Sequence, residues 1–289
     1  MPPPTHRLPH CVSILLFALT LSGTVQAGDR LLATGGAHQV EGSAGGGLVP
    51  WALIAGYGTR DQVGGSAFYT RVDTRDFSLD SYGVALGLWD RVEVSFAKQA
   101  FDASSVVPGL ELRMETIGAK VKVFGDAVYD QDSPWPQVAV GLQHKRNTTM
   151  AIPTAIGARG ASDTDFYVAA TKVWLAGLLG RNVLADATLR ATRANQFGLL
   201  GFGGDRKSSR SLQPEVSLAV MLTDTLLLGV EHRWKPDNLS VFKEEDASDV
   251  FLAWFAHRNL AVTLAWAKLG TIAGKARQDG TYLSFQLTL

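Results

Sequence analysis

The chain has 289 residues, 27 basic against 27 acidic side chains, 30 glycines and a charged fraction of 19%. A formal net charge of zero offers no electrostatic footing on nucleic acid or an anionic membrane surface, so no nucleic-acid partner is expected. Glycine at this level with so few charges suits strands and tight turns better than helices.

His6, Arg7 and His10 precede an apolar run from Val12 to Leu21, and Val25-Gln26-Ala27 then supplies the small-x-small pattern of a signal-peptidase site. The expected organisation is a cleaved signal peptide over 1–27 and one barrel domain over 28–289. Cys11 is the only cysteine and lies before the apolar run, which excludes disulfides although the destination is outside the cytoplasm. Beyond the signal no apolar stretch approaches the ~20 residues of a spanning helix.

From Leu31 onward, alternating stretches are joined by brief turns and longer polar loops in turn. Fourteen strands are predicted, at 30–40, 48–60, 62–73, 79–89, 91–101, 110–125, 135–146, 164–178, 181–193, 211–222, 225–235, 246–256, 259–269 and 280–289. Twelve is the runner-up count, because the first strand and the stretch 165–177 are ambiguous in phase. Between Leu212 and Leu222 the residues Val216, Leu218 and Val220 share one face, with Glu215, Ser217 and Ala219 on the other. After the turn at 223–225, Leu228, Val230 and Trp234 continue the apolar face against Glu231, Arg233 and Lys235, which makes a hairpin. The same pattern recurs around 257–259 and around Asp90-Arg91. In the final strand Leu283, Phe285, Leu287 and Leu289 fall on one face and Tyr282, Ser284, Gln286 and Thr288 on the other.

A soluble sandwich also alternates, but its loops have no reason to be short at one end only. A transmembrane barrel has lipid-facing apolar residues, a polar lumen, short periplasmic turns and long outer loops. The long connections here, at 102–109, 147–163, 194–211, 236–245 and 270–280, all fall at one end. The predicted fold is therefore all-β: a single transmembrane antiparallel up-and-down β-barrel with its last strand paired to its first, which leaves no open edge. Glu93, Lys120, Lys122, Asp186, Arg190, Glu215, Glu231, Arg233 and Lys235 take the lumen face. In this phase, Arg at Leu218 or Val262 impairs insertion, whereas Arg at Ser217 or Thr263 is tolerated. The turn Asp126–Pro134 is longer than a periplasmic turn should be. The last strand also resembles the C-terminal signature recognised by the outer-membrane assembly machinery, with Leu289 where that signature usually has Phe.

The phrases "LLATGGAHQVEGSAGGGLVPWALIAGYGTRDQ", "FGDAVYDQD", "ANQFGLLGFGGDR" and "KPDNLSVFKEEDA" resemble an uncharacterised proteobacterial family, catalogued as domain of unknown function 3034. The resemblance covers essentially the whole mature chain and implies a secreted, barrel-like envelope protein. It transfers no functional residues.

"GFGGDRKS" lacks the second glycine of a phosphate-binding loop, Arg206 standing in its place, and has no strand-loop-helix context. The loop 195–210 is instead a candidate constriction, with Phe197 and Phe202 folding toward the mouth and Arg206, Lys207 and Arg210 forming a basic rim. The glycines of "SAGGGLVPWALIAGYG" suit barrel curvature, with a ligand-contacting role as the alternative. Trp234, Trp254 and Trp266 read as an aromatic girdle at the membrane interfaces. Asp126, Asp130 and Asp132, like Glu244, Glu245, Asp246 and Asp249, read as solvated turns, and no metal or cofactor is expected. His144 and His232 lie with apolar residues near the outer end. They are interface histidines or, in the rival reading, part of a lipid-hydrolase site. The functional expectation is a passive or weakly selective channel for small solutes in the bacterial outer membrane, in contact with outer-membrane lipids and lipopolysaccharide. The alternatives are a lipid-modifying acyl hydrolase and a plugged structural or adhesion barrel.

Overall fold

The computed structural model describes residues 30–289. The expected signal peptide over 1–27 lies outside the described residues. Two short strands come first, β1 (Ala37–His38) and β2 (Ala44–Gly45), paired with each other and with no strand of the wall, with a further bridge from Gly45 to Pro50. Twelve long strands follow: β3 (Val63–Thr74), β4 (Ser78–Leu88), β5 (Val92–Asp102), β6 (Glu111–Phe124), β7 (Gln137–Asn147) and β8 (Ser162–Leu178) make the first half. β9 (Arg181–Thr192), β10 (Ser211–Thr223), β11 (Leu226–Arg233), β12 (Ala247–His257), β13 (Leu260–Lys268) and β14 (Asp279–Thr288) make the second. Each pairs antiparallel with its sequence neighbours, and β14 closes on β3 from Gly280↔Thr74 to Thr288↔Ser66.

These twelve strands match the twelve predicted from residue 62 onward to within two residues at each end. The predicted strands at 30–40 and 48–60 are not part of the wall. Both lie inside the barrel, so the runner-up count is the observed one. The reason is visible in their burial: residues 34–58 are buried throughout, with no face left for lipid, whereas every wall strand alternates.

The alternation in the wall has the predicted phase. Val216, Leu218, Val230, Leu264, Phe285 and Leu287 are exposed to the outside, while Glu215, Ser217, Glu231, Thr263, Ser284 and Gln286 face inward and are buried. Six of the seven tryptophans stand on the exterior. Trp234 and Trp266 lie toward the long-loop end, and Trp89, Trp135, Trp174 and Trp254 lie toward the short-turn end, as two girdles require. The seventh, Trp51, is 1% exposed in the centre of the lumen.

The long connection 125–136 between β6 and β7 floors the short-turn end. Ala127 and Val128 are buried there, Tyr129 Oη accepts from the Leu31 N–H at 3.1 Å, and Lys172 Nζ donates to the Asp130 and Ser133 carbonyls at 2.6 and 2.9 Å. Its length is explained by what it covers.

Candidate functional site

The lumen is filled by the protein's own chain. The segment enters at the short-turn end, where Arg30 Nη1 lies 3.0 Å from Asp90 and also donates to the Ile54 carbonyl at 3.1 Å. It rises through the β1–β2 hairpin, returns through 48–58, and leaves beside the end of the chain, where the Tyr57 N–H donates to the Leu289 carbonyl at 3.2 Å. Residues 34–58 therefore form a plug with both of its ends at the short-turn end of the barrel.

A main chain inside a barrel has few strand neighbours to satisfy it, and buried N–H and C=O groups left unpaired are costly. Here the wall side chains supply the partners. Glu93 accepts from the Ala44 and Ala55 N–H groups at 3.2 and 2.9 Å, and Glu231 accepts from the Leu48 N–H at 2.7 Å. Thr171 accepts from the Ala52 N–H at 2.7 Å. Lys120 Nζ donates to the Ala44 and Trp51 carbonyls, both at 3.0 Å, and lies 3.1 Å from Glu93. Ser81 and Gln99 donate to the Val40 carbonyl at 2.6 and 2.7 Å, and Gln137 donates to the Ala52 carbonyl at 2.6 Å. The plug comes close enough that a Cβ on Gly46 would overlap the Glu231 carboxylate. Gly46, Gly47, Gly56 and Gly58 thus serve close approach of plug to wall, and Gly45 close packing within the plug, not the curvature expected of a wall strand.

At the tip of the plug Glu41 is wholly buried among cations. Its carboxylate pairs with Lys145 and, at 2.8 Å, with Arg233 Nη1. Lys145 is also 2.7 Å from Asp165, and Arg190 grips Glu215 through Nε at 2.5 Å and Nη2 at 3.3 Å. Arg233 Nε reaches the same Glu215 oxygen at 3.2 Å. Ring faces close the group, with Tyr167 5.1 Å from the Arg190 guanidinium and Phe197 4.4 Å from that of Arg233.

The outer loops cap this cluster. A 3₁₀ turn at Asn195–Gly198 bends inward, with Gln196 and Phe197 at positive φ (45° and 61°), and Phe202 is fully buried beneath it. A left-handed conformation at a phenylalanine is strained, and packing of its ring over Arg233 and Lys235 holds it there. Lys235 pairs with Glu244 at 3.0 Å and donates to Gln196 Oε1 at 3.1 Å. Burial pushes the Glu244 carboxyl up and the Lys235 amine down, and the pairing opposes both shifts. The basic rim is placed differently. Arg206, Lys207 and Arg210 are all exposed, Arg206 pairing with Asp237 and Arg210 with Asp163, 5.7 Å from the Phe166 ring.

Arg190, Glu215, Glu231, Arg233 and Lys235 all point inward, together with Glu93, Lys120 and Asp186. They are buried, and each is bonded to the plug, to another of the group, or to a neighbouring wall or outer-loop residue. Ser217, expected to tolerate Arg, accepts from Trp51 Nε1 at 2.9 Å and donates to Glu231 at 2.6 Å, leaving no room for a larger side chain. Of the acidic residues read as solvated turns, Glu244 and Asp249 are buried, and Asp249 stands beside Glu231 on the inner wall. Lys145 and Asp165 were not singled out from sequence: the alternation of β7 puts Lys145 on the inner face, but the phase around Asp165 is ambiguous. Nothing local marks Glu41, whose importance depends on strands more than 100 residues away. His144 and His232 lie on the outer face. His144 Nδ1 is 3.0 Å from Thr164 Oγ1, and the His232 ring meets Trp234 edge-on at 4.1 Å.

The family model for proteins of unknown function DUF3034 matches residues 34–286. No curated protein matches the sequence. Among solved structures, the KdgM porin is similar at 9% identity and a TM-score of 0.51, over 77% of this chain and 98% of that one. The NanC porin is similar at 10% identity and 0.46, over 78% and 98%, and the COG4313 outer membrane channel from Pseudomonas putida F1 at 13% and 0.45, over 83% and 96%. At these identities the likeness is one of fold. A closed twelve-strand wall, an apolar exterior and two tryptophan girdles make this an outer-membrane β-barrel.

Proposed function

The chain belongs to the DUF3034 family of proteins of unknown function, and we propose that it is an outer-membrane channel for small solutes that its own N-terminal segment holds closed. One observation carries this reading: the wall is complete without residues 34–58, and its inner face is polar and charged, suited to water and solutes once the plug moves. The plug is joined to the wall by hydrogen bonds and ion pairs through side chains, and by few main-chain bonds, so it can leave without dismantling the barrel. Outer loops in contact with lipopolysaccharide and a final strand β14 read by the assembly machinery belong to the same proposal.

Reconstituted in planar bilayers, the wild-type protein should be closed most of the time with rare openings. A variant lacking 34–58, accepted as folded only if it keeps heat-sensitive gel migration, should conduct in large steps. A folded variant that stays silent would overturn the channel reading. The lipid-hydrolase alternative rests on the Thr164–His144 pair on the lipid-facing side. Phospholipid release from vesicles, abolished in His144→Ala, is the result that would favour it.

A further inference from the structure

The wall contributes three cations and two carboxylates to the cluster around the plug tip: Lys145, Arg190 and Arg233 against Asp165 and Glu215. The plug contributes one carboxylate, Glu41. With Glu41 in place the charges balance. Without it the wall is left with one uncompensated positive charge among side chains that are at most 4% exposed. A buried charge without a partner is expensive, so the socket is stable only when some carboxylate or other anion fills it. Two cationic side chains of the wall, Lys145 and Arg233, hold the two oxygens of Glu41, while the 3.1 Å donor Gln39 Nε2 belongs to the plug and leaves with the tip. Guanidinium and ammonium donors directed at the two oxygens of one planar group favour a carboxylate over a spherical ion. Beside it, the Gln143 amide, itself engaged by Arg190 Nη1 at 2.6 Å and by Gln39, offers hydrogen-bonding groups of the kind that recognise hydroxyls.

We propose that Lys145, Arg190 and Arg233 form a binding site for a small hydroxylated monocarboxylate, that Glu41 occupies this site in the closed state as a substitute for the solute, and that the solute opens the channel by displacing it. This rests on the channel reading above and names the class of solute. It also gives the plug a reason to yield: a solute carboxylate replaces the one charge that the departing tip removes. A neutral sugar of the same size replaces nothing.

The test uses the full mature chain in planar bilayers and in proteoliposomes, with potassium gluconate and glucose as probes at equal concentration. Gluconate should raise the open probability of the wild-type protein about tenfold, and glucose should leave it unchanged. Glu41→Gln keeps the side chain's shape and removes its charge. It should open in chloride alone, prefer anions, and no longer respond to gluconate. A second readout does not depend on that variant. Val40→Cys places a single thiol in the buried tip of the mature chain, and its modification by a water-soluble maleimide should speed up with gluconate and not with glucose. If the plug-excised variant conducts but gluconate changes neither gating nor Val40→Cys labelling, the carboxylate site is rejected and the channel stands. If every variant folds and all are silent, the channel reading falls and this proposal with it.

Discussion

Tyr282 of β14 reaches the His38 carbonyl of the plug at 3.4 Å, and Gln286 reaches the Gly36 carbonyl at 3.3 Å, so the closing strand and the plug run side by side. They satisfy their main chains in different ways. β14 pairs along its whole length with β13 and β3, which frees its side chains to divide into a lipid face and a lumen face. The plug has only the two-residue β1–β2 ladder, a Gly45–Pro50 bridge and a few turn bonds, and many of its other main-chain groups are met by side chains of the wall. The difference explains the inner wall. Charges on a lumen face are usually read as a lining for solutes, and here many are also the counterpart of a buried main chain.

That comparison can be broken at its strongest point first. Glu93→Ala removes the acceptor for two plug N–H groups and the partner of the buried Lys120, and should cost about 3–5 kcal/mol in denaturant unfolding of the detergent-solubilised protein. A loss under 1 kcal/mol would mean that the plug is not held by the wall. Leu218→Arg, on the lipid face of β10, should cost about 2–4 kcal/mol if it sits at the midplane, read from the folded fraction after insertion into vesicles. The same substitution at the adjacent Ser217 should also be damaging, because Trp51 and Glu231 occupy that space. An open lumen would instead accept it, and tolerance there would show that the plug is out in the membrane.

Gly46→Ala sharpens the comparison, since the added methyl meets the Glu231 carboxylate while no wall residue is changed. About 1–3 kcal/mol of overpacking should appear, together with more frequent channel openings, and a silent substitution would argue against the tight seat of the plug. The smallest effect is expected at the rim. Arg206→Ala removes a half-exposed ion pair with Asp237, and the unfolding midpoint should move by at most the equivalent of about 0–1 kcal/mol.

The wall strands were legible because period-two alternation is a local property. From β3 to β14 the strands carry their own record of which side meets lipid, least clearly in β8 where the phase of 165–177 is ambiguous, and turn residues mark where they end. Phase also assigned Arg190, Glu215, Glu231 and Arg233 to the inside, and Trp234, Trp254 and Trp266, three of the six exterior tryptophans, to the interfaces. For the segment 30–60 that record is misleading. "LVPWALIAGYG" is apolar enough for a lipid-facing strand, yet its apolar groups pack inside the barrel, with Trp51 and Leu53 in the same core as Phe251 and Tyr282. Hydropathy cannot distinguish a surface covered by lipid from one covered by protein.

What the sequence alone determined is the set of quantities each strand carries by itself: type, extent, facing and the end that bears the long loops. The tertiary structure decided which strands are members of the wall, because closure depends on β14 finding β3 at position 63 and not a strand at position 30. It also decided that the lumen is filled, and that Glu41 balances Lys145 and Arg233, residues brought together only when the barrel closes around the plug. Pairing, closure and charge balance are relations between distant segments, and no single stretch of chain contains them.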